Sequence, residues 1–365
     1  MGKWKECVLG DILTFQRGHD LPKTQMTSGE YPVVGSNGII GYHNEYTTES
    51  PSITIGRSGN TGNPFIVYGR SWSHNTTLYV KEFKDNDPIY VYYLLKTLDL
   101  GNFAGGSAVP TLNRNHIHTL DIFVPPIEEQ VKIGQALRSF DEKIAQNNAI
   151  NHNLEQTAQS LFERLLIEDC ADEPLGVLAD IAFINPSRSL SRGQAAVYVE
   201  MANLPTRGSF PSNWDIRPFA GGMKFTNGDT IMARITPCLE NGKTAFINFL
   251  ADGEVAFGST EYIVIAPKSG YCCEMFYFLA RYPDFVSYAV GNMNGSSGRQ
   301  RVSGETIGQY ELSIPPPNKA REFAEVAAPI MDSIRQNAID SRKLAELRDS
   351  LLPKLMSGEL SIGDG

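Results

Sequence analysis

No run of about eighteen consecutive apolar residues occurs in the chain, and no basic segment followed by an apolar one opens it. Membrane insertion and secretion therefore lack a signal, and a cytoplasmic location is expected. Cysteine is scarce. The five present, Cys7, Cys170, Cys238, Cys272 and Cys273, are odd in number and form no CxxC pair, and the adjacent Cys272 and Cys273 cannot close an ordinary disulfide loop. Reduced, mostly structural thiols are expected. His74, His116 and His118 lie near other polar clusters but have no His-Cys or His-carboxylate spacing suited to a metal, so no structural zinc is expected. A GxxxxGK[ST] loop for nucleotide hydrolysis is missing, and Pro283-Asp284 has no acidic-x-lysine partner that would make a nuclease centre. No catalytic residue is assigned.

A basic surplus is lacking too. The net charge of -9 argues against a free-standing nucleic-acid binder, which ordinarily carries cations that displace counterions from phosphate. The acidic excess is uneven. Residues 128–171 hold 4 Lys and Arg against 8 Asp and Glu, whereas residues 1–127 hold 10 against 11. If the acidic segment faces a protein partner, the remaining parts stay near neutral and are free to present local basic faces.

What the sequence does contain is an internal repeat. Val124-Pro125-Pro126 aligns with Ile314-Pro315-Pro316 at a shift of 190 residues, which also pairs Gly105 with Gly295, Ser107 with Ser297 and Ile117 with Ile307. Downstream, without a gap, Ile133, Leu137, Phe140, Ile144, Asn147, Asn151, Leu154, Leu161 and Leu165 fall over Phe323, Ala327, Ile330, Ile334, Asn337, Ser341, Leu344, Leu351 and Leu355. With Ala158 and Arg348 in the remaining slot, the steps alternate between 4 and 3, the seam of a heptad repeat. Before each seam come short β-branched and aromatic runs broken by Gly, Asn and Pro, which mark strand-rich domains.

The expected fold class is α+β: two strand-rich domains, residues 1–127 and 172–317, alternating with two coiled-coil helices, residues 128–168 and 318–357. A first helix of about 58 Å followed by so short a connection leaves no chain to return along it, so antiparallel pairing is expected. That places two globular domains at opposite ends of a two-helix spacer, about a pseudo-twofold axis. Asn147 and Asn337 occupy equivalent seam slots, where a polar residue costs stability but fixes register.

Several segments resemble the specificity subunits of type I restriction-modification systems: residues 31–42 (YPVVGSNGIIGY), 55–62 (IGRSGNTG), 228–243 (GDTIMARITPCLENGK), 257–262 (FGSTEY) and 352–360 (LPKLMSGEL). The resemblance covers essentially the whole chain. It implies a non-catalytic subunit whose two target recognition domains each read half of a split double-stranded DNA target, with the helices setting the gap. It also implies docking of two modification subunits that hold S-adenosylmethionine, and of restriction-translocase subunits that use ATP and Mg. In keeping with that division, the methyltransferase motifs are absent, since Asn185-Pro186-Ser187 is too short for an Asn/Asp-Pro-Pro-aromatic element. The offset between the halves drifts from 166 at Leu9 against Leu175 to 177 at Arg57 against Arg234, so the domains differ in insertions and an asymmetric target is expected.

Base edges and phosphates are read by amide, hydroxyl and cationic side chains on rigidly presented elements. The candidates in the first domain are Arg57, Ser58, Asn60 and Thr61, then Arg70, Trp72, His74 and Asn75, then Asn113, Arg114 and Asn115. Glycines 56, 59 and 62 permit close approach of a ligand to the backbone, or simply a Gly-rich turn. In the second domain they are Arg234, Glu240, Asn241 and Lys243, then Ser259 and Thr260, then Arg299, Gln300 and Arg301. Glu240 has a cytosine amine as one partner and Arg234, in a structural ion pair, as the safer one. Trp72 and Trp214 have stacking or core packing open to them. Two other readings remain: the specificity subunit of a type IIB system, and a coiled-coil adaptor that binds no DNA.

Overall fold

The computed structural model describes residues 4–105, 110–296 and 298–363; Ser107 and Ser297 of the repeat lie outside them. The chain divides into two compact units, one of Met1–Ile144 with Lys343–Gly365 and the other of Ala145–Arg342. Each combines sheets and short helices with a part of each of two long helices, so the α+β class holds.

In the first unit, Lys5–Val8 pairs antiparallel with Asp121–Val124, tying the two ends of the domain together. A four-stranded antiparallel sheet runs in the order Thr14–Arg17, Thr77–Glu82, Ser52–Gly56, Pro64–Val67. Every residue of Ser52–Gly56 is buried, which its β-branched Ile53, Thr54 and Ile55 suit. Helix Pro88–Thr97 shares a core with this sheet through Tyr90, Val91 and Leu94. Its start is fixed by Asp87, whose carboxylate accepts the Tyr90 N–H at 2.7 Å, and by Pro88 in the first turn. A second sheet sets Gly38–His43 antiparallel and Trp72–Ser73 parallel to Tyr31–Gly35.

The second unit repeats this order of strands. Leu175–Val177 pairs with Glu311–Ser313, and the four-stranded antiparallel sheet runs Ala182–Ile184, Tyr262–Pro267, Thr230–Ala233, Thr244–Phe246. Its second sheet, ordered Asp215–Pro218, Ala195–Val199, Ala256–Gly258, Lys224–Phe225, again contains one parallel pair. Helix Glu274–Arg281 buries Met275 through Ala280. A detail recurs as well: Tyr93 donates its hydroxyl to Asp141 at 2.6 Å in the first unit, and Tyr277 donates to Glu155 in the second. Each tyrosine thereby ties its domain to the first long helix. All five cysteines are free, and burial pushes the Cys273 thiol up to about 11, so it stays protonated.

The first long helix is Ile127–Phe162, continued by a π-helical stretch Glu163–Glu168, and the second is Pro317–Ser357. Gly134 lets the first pass closely over the start of Pro88–Thr97, because a Cβ there would lie 2.9 Å from the Asp87 carboxylate. Within the first unit, Ile133 and Leu137 share a core with Leu351, Leu352, Leu355 and Met356. Arg348, in a seam slot, pairs with Asp141 across the two helices. Within the second unit, Ala158, Phe162 and Leu165 pack with Phe323, Ala327, Met331 and Ile334.

The second unit also contains a polar layer in its part of the two helices. Asn147 donates to the Ser341 hydroxyl at 3.1 Å and the Asn337 carbonyl at 3.4 Å, Asn337 donates to Asn151 at 2.8 Å, and Asn151 donates to the Ile334 carbonyl at 3.1 Å. Partner numbers fall as residue numbers rise, so the helices pair antiparallel here.

Candidate nucleic-acid interface

In both units the central strand of the four-stranded sheet delivers an arginine to the same backbone position. Arg57 follows Ser52–Gly56; its N–H donates to the Thr76 carbonyl at 2.7 Å and its carbonyl accepts from Leu112 at 2.8 Å. Arg234 follows Thr230–Ala233; its N–H donates to the Glu261 carbonyl at 3.0 Å and its carbonyl accepts from Val302 at 3.0 Å. Bridges Ser58 to Thr111 and Ile235 to Arg301 complete the match. Asn113 and Ser303 then cap short helices by accepting the N–H of Asn115 at 2.9 Å and of Thr306 at 2.9 Å.

Arg57 lines a cleft of about 680 Å³ together with Gln16, Arg17, Leu78, Thr111, Leu112, Asn113 and Arg114. No carboxylate is among these residues. Arg114 is steadied by donating to the Phe15 carbonyl at 3.4 Å. His118 accepts the Phe15 N–H on Nε2 at 3.0 Å and stacks on the Phe15 ring, while burial and the nearby Arg114 hold its imidazole below the usual range and therefore neutral. His118 is thus a support of the cleft rather than part of a metal site. Three guanidinium groups and two amides in one concavity suit phosphate oxygens and base edges.

The other candidates of the first unit scatter. Arg70 pairs with Glu49 at 2.9 Å and lies over the Tyr46 ring at 4.5 Å. Trp72 packs against His19 and His43 and donates to the His19 carbonyl at 3.4 Å. His74 contacts Thr76 at 3.1 Å, and Asn75 donates to Asp20. Ser58 donates its N–H to the Thr76 carbonyl at 3.2 Å, Asn60 accepts from Asn63 at 2.5 Å, and Thr61 lies beside Gly101. Two of the three glycines serve the loop itself. A Cβ on Gly56 would collide with the Asn60 carbonyl and one on Gly62, at φ +82°, with the backbone of Gly101. Gly59 alone keeps its space open, with Ser36 Oγ 3.6 Å from a built Cβ.

In the second unit Arg234 lies 3.6 Å from Glu261, which also accepts from Arg301 Nε at 2.9 Å and Nη2 at 2.8 Å. The expected pairing of Arg234 with Glu240 is therefore corrected. Glu240 sits on the turn after Pro237 and accepts from the Thr236 hydroxyl at 3.4 Å, because the antiparallel pairing of Thr230–Ala233 with Tyr262–Pro267 brings Glu261 beside Arg234 instead. Lys243 is engaged as well, donating to the Met201 carbonyl at 2.7 Å. Ser259 accepts the Glu261 N–H at 3.0 Å, whereas Asn241, Thr260 and Arg299 are exposed and Gln300 half-buried. Arg301 is anchored to Asn294 by reciprocal backbone bonds of 2.9 Å, and Arg299 and Gln300 lie just before this pairing. Trp214 stacks at 4.2 Å on Phe249 with Arg342 above it, which gives it a packing role.

The polar cleft residues missed in the sequence are Gln16, Arg17 and Thr111, of which the first two are the more informative. Gln16 and Arg17 lie on an unremarkable strand, and only its antiparallel pairing with Thr77–Glu82 brings them to Arg57. Among the described residues no group of three His, Cys, Asp or Glu could hold a metal ion, and no helix is long and apolar enough to cross a membrane.

Residues 1–156 match the family model described as "Type I restriction modification DNA specificity domain". That match covers the first unit's globular part and the first long helix as far as residue 156, and shows a type I specificity domain there. Among curated relatives, the EcoprrI specificity subunit of Escherichia coli is 29% identical over 38% of this chain and 36% of its own length. The MjaIX specificity subunit of Methanocaldococcus jannaschii is 22% identical over 75% of this chain and 69% of its own length. The chain thus aligns with about a third of the first relative and about two thirds of the second. The S subunit of the type I system from M. genitalium has a similar fold, with a TM-score of 0.67, 16% identity and coverage of 97% of this chain and 96% of that one.

Proposed function

We propose that this chain is the specificity subunit of a cytoplasmic type I restriction-modification complex and reads a bipartite, asymmetric double-stranded DNA target, one half through each unit. The observation that carries the reading is the arginine position just described: one strand plan presents it twice, once amid cations and amides and once beside a carboxylate. Two copies of a scaffold with unlike surroundings at the same point are what an asymmetric target calls for. The net charge of -9 is compatible with this when partners supply part of the phosphate affinity.

Those partners are two modification subunits, bringing S-adenosylmethionine, and restriction-translocase subunits, bringing ATP and Mg. The acidic segment 128–171 is the surface offered to protein. The test is single-molecule methylome sequencing of a host that carries the chain with its modification subunits. Methylated adenine in a split motif of two unlike halves is expected. A palindromic motif, or no chain-dependent methylation, overturns the reading.

A further inference from the structure

We infer that Arg57 is the specificity-determining residue of the first unit and reads a guanine, whereas Arg234 at the matching position reads no base and positions the segment of Arg299 to Arg301. The inference rests on the DNA-reading role proposed above and deepens it. Guanine presents O6 and N7 side by side in the major groove, and an arginine fork meets both at once, provided that its donors are uncommitted and its stem is held.

Arg57 meets both conditions. Its backbone is fixed on two sides, to Thr76 and to Leu112, at the end of a strand buried throughout. Among the described residues its guanidinium makes no hydrogen bond or ion pair, and the cleft that it lines contains no carboxylate. Gln16 and Asn113 beside it supply amides for an adjacent base or sugar. Arg114, and Arg17 whose guanidinium lies 3.9 Å from the exposed Asp20 carboxylate outside the cleft lining, add charge that attracts the flanking phosphates.

Among the described residues Arg234 makes no side-chain hydrogen bond either, but its guanidinium is held beside a carboxylate, and a single residue accounts for the difference. The carbonyl that receives the arginine N–H belongs to Thr76 in the first unit and to Glu261 in the second. Glu261 draws in both cations nearby: Arg234 Nε is buried without a hydrogen bond, 3.6 Å from the carboxylate, and Arg301 spends Nε and Nη2 on the same group. The carboxylate would also repel the acceptor edge of a guanine. Bracing Arg301 fixes the end of the segment that exposes Arg299.

The full chain, assembled with its modification subunits, is to be presented with duplexes randomised across the target and the retained sequences counted. Arg57→Gln should erase one guanine preference in the first unit's half-site, a loss of about ten- to hundredfold in discrimination, and leave the other half-site as it was. Arg57→Lys should keep the salt dependence of binding while losing the same preference. Thr76→Glu, which installs the second unit's carboxylate and leaves Arg57 in place, should reproduce Arg57→Gln even if that variant folds poorly. Arg234→Gln should leave every base preference intact. A uniform loss of affinity for all sequences in Arg57→Gln makes the residue a phosphate contact and overturns the inference, as does a base preference lost in Arg234→Gln. A wild-type complex that selects no motif overturns the DNA-reading role itself; a wild-type motif indifferent to Arg57 overturns the inference alone.

Discussion

Asp229 shows how a buried carboxylate is held in this protein. It is 1% exposed, accepts from Arg188 Nη2 at 2.6 Å and from the Thr226 N–H at 2.7 Å, and is pushed up to about 6 because burial outweighs these favourable contacts. The unfolded chain releases that proton near the ordinary carboxylate value, so between about pH 4 and pH 6 the folded state binds more protons than the unfolded one. Stability from this group is therefore fully present at the acid end and is lost as pH rises through the folded value. An Asn in its place does not titrate. The wild type should lose on the order of 2–3 kcal/mol relative to Asp229→Asn between pH 4 and pH 7, read from urea unfolding at several pH values. A difference that is flat or rises with pH would show that the pair with Arg188 outweighs burial.

At the scale of elements, the paired long helices invite a second prediction. The layer of Asn147, Asn151, Asn337 and Ser341 satisfies its own amides, yet each buried polar group does less for stability than leucine would. Replacing Asn147 and Asn337 together by Leu should raise the urea midpoint and at the same time loosen the helix register, seen as a broadened distance between spin labels placed on the two helices near the layer. A lowered midpoint with one sharp distance would show that the layer is structural and does not select register.

The helices were the most legible part of the sequence, and the reason is physical: a seam of 4 and 3 steps leaves the same trace wherever two helices bury one face. Phe162 escaped it, since it sits beside Leu161 outside that spacing, although it is 1% exposed and packs against Phe323 and Phe278. The candidate interface was read less completely. Arg57 stood out because a strand signal ends just before it, but its neighbours Gln16 and Arg17 arrive by sheet pairing over about sixty residues, which no local pattern announces. The partner of Arg234 was misjudged for the same reason. Glu240 is close in sequence, whereas Glu261 is close because of strand register.

At the scale of the whole chain, the first unit is discontinuous: residues 343–365 return to it, and Leu351, Leu352, Leu355 and Met356 complete its core. Exchanging residues 1–127 for the corresponding domain of a type I specificity subunit therefore preserves the proposed function only when the newcomer offers an apolar face to those four side chains. Truncating Leu355 or Met356, the two buried ones, to suit a mismatched face would cost about 2–5 kcal/mol for each. With a compatible domain, the exchange should change one half of the methylated motif and leave the other half and the gap unchanged, because residues 145–342 keep their own core and their own part of both helices. Methylome sequencing of the chimera reads all three at once. A chimera that changes both halves would mean that the two units share a reading surface, and modular recognition by this chain would have to be abandoned.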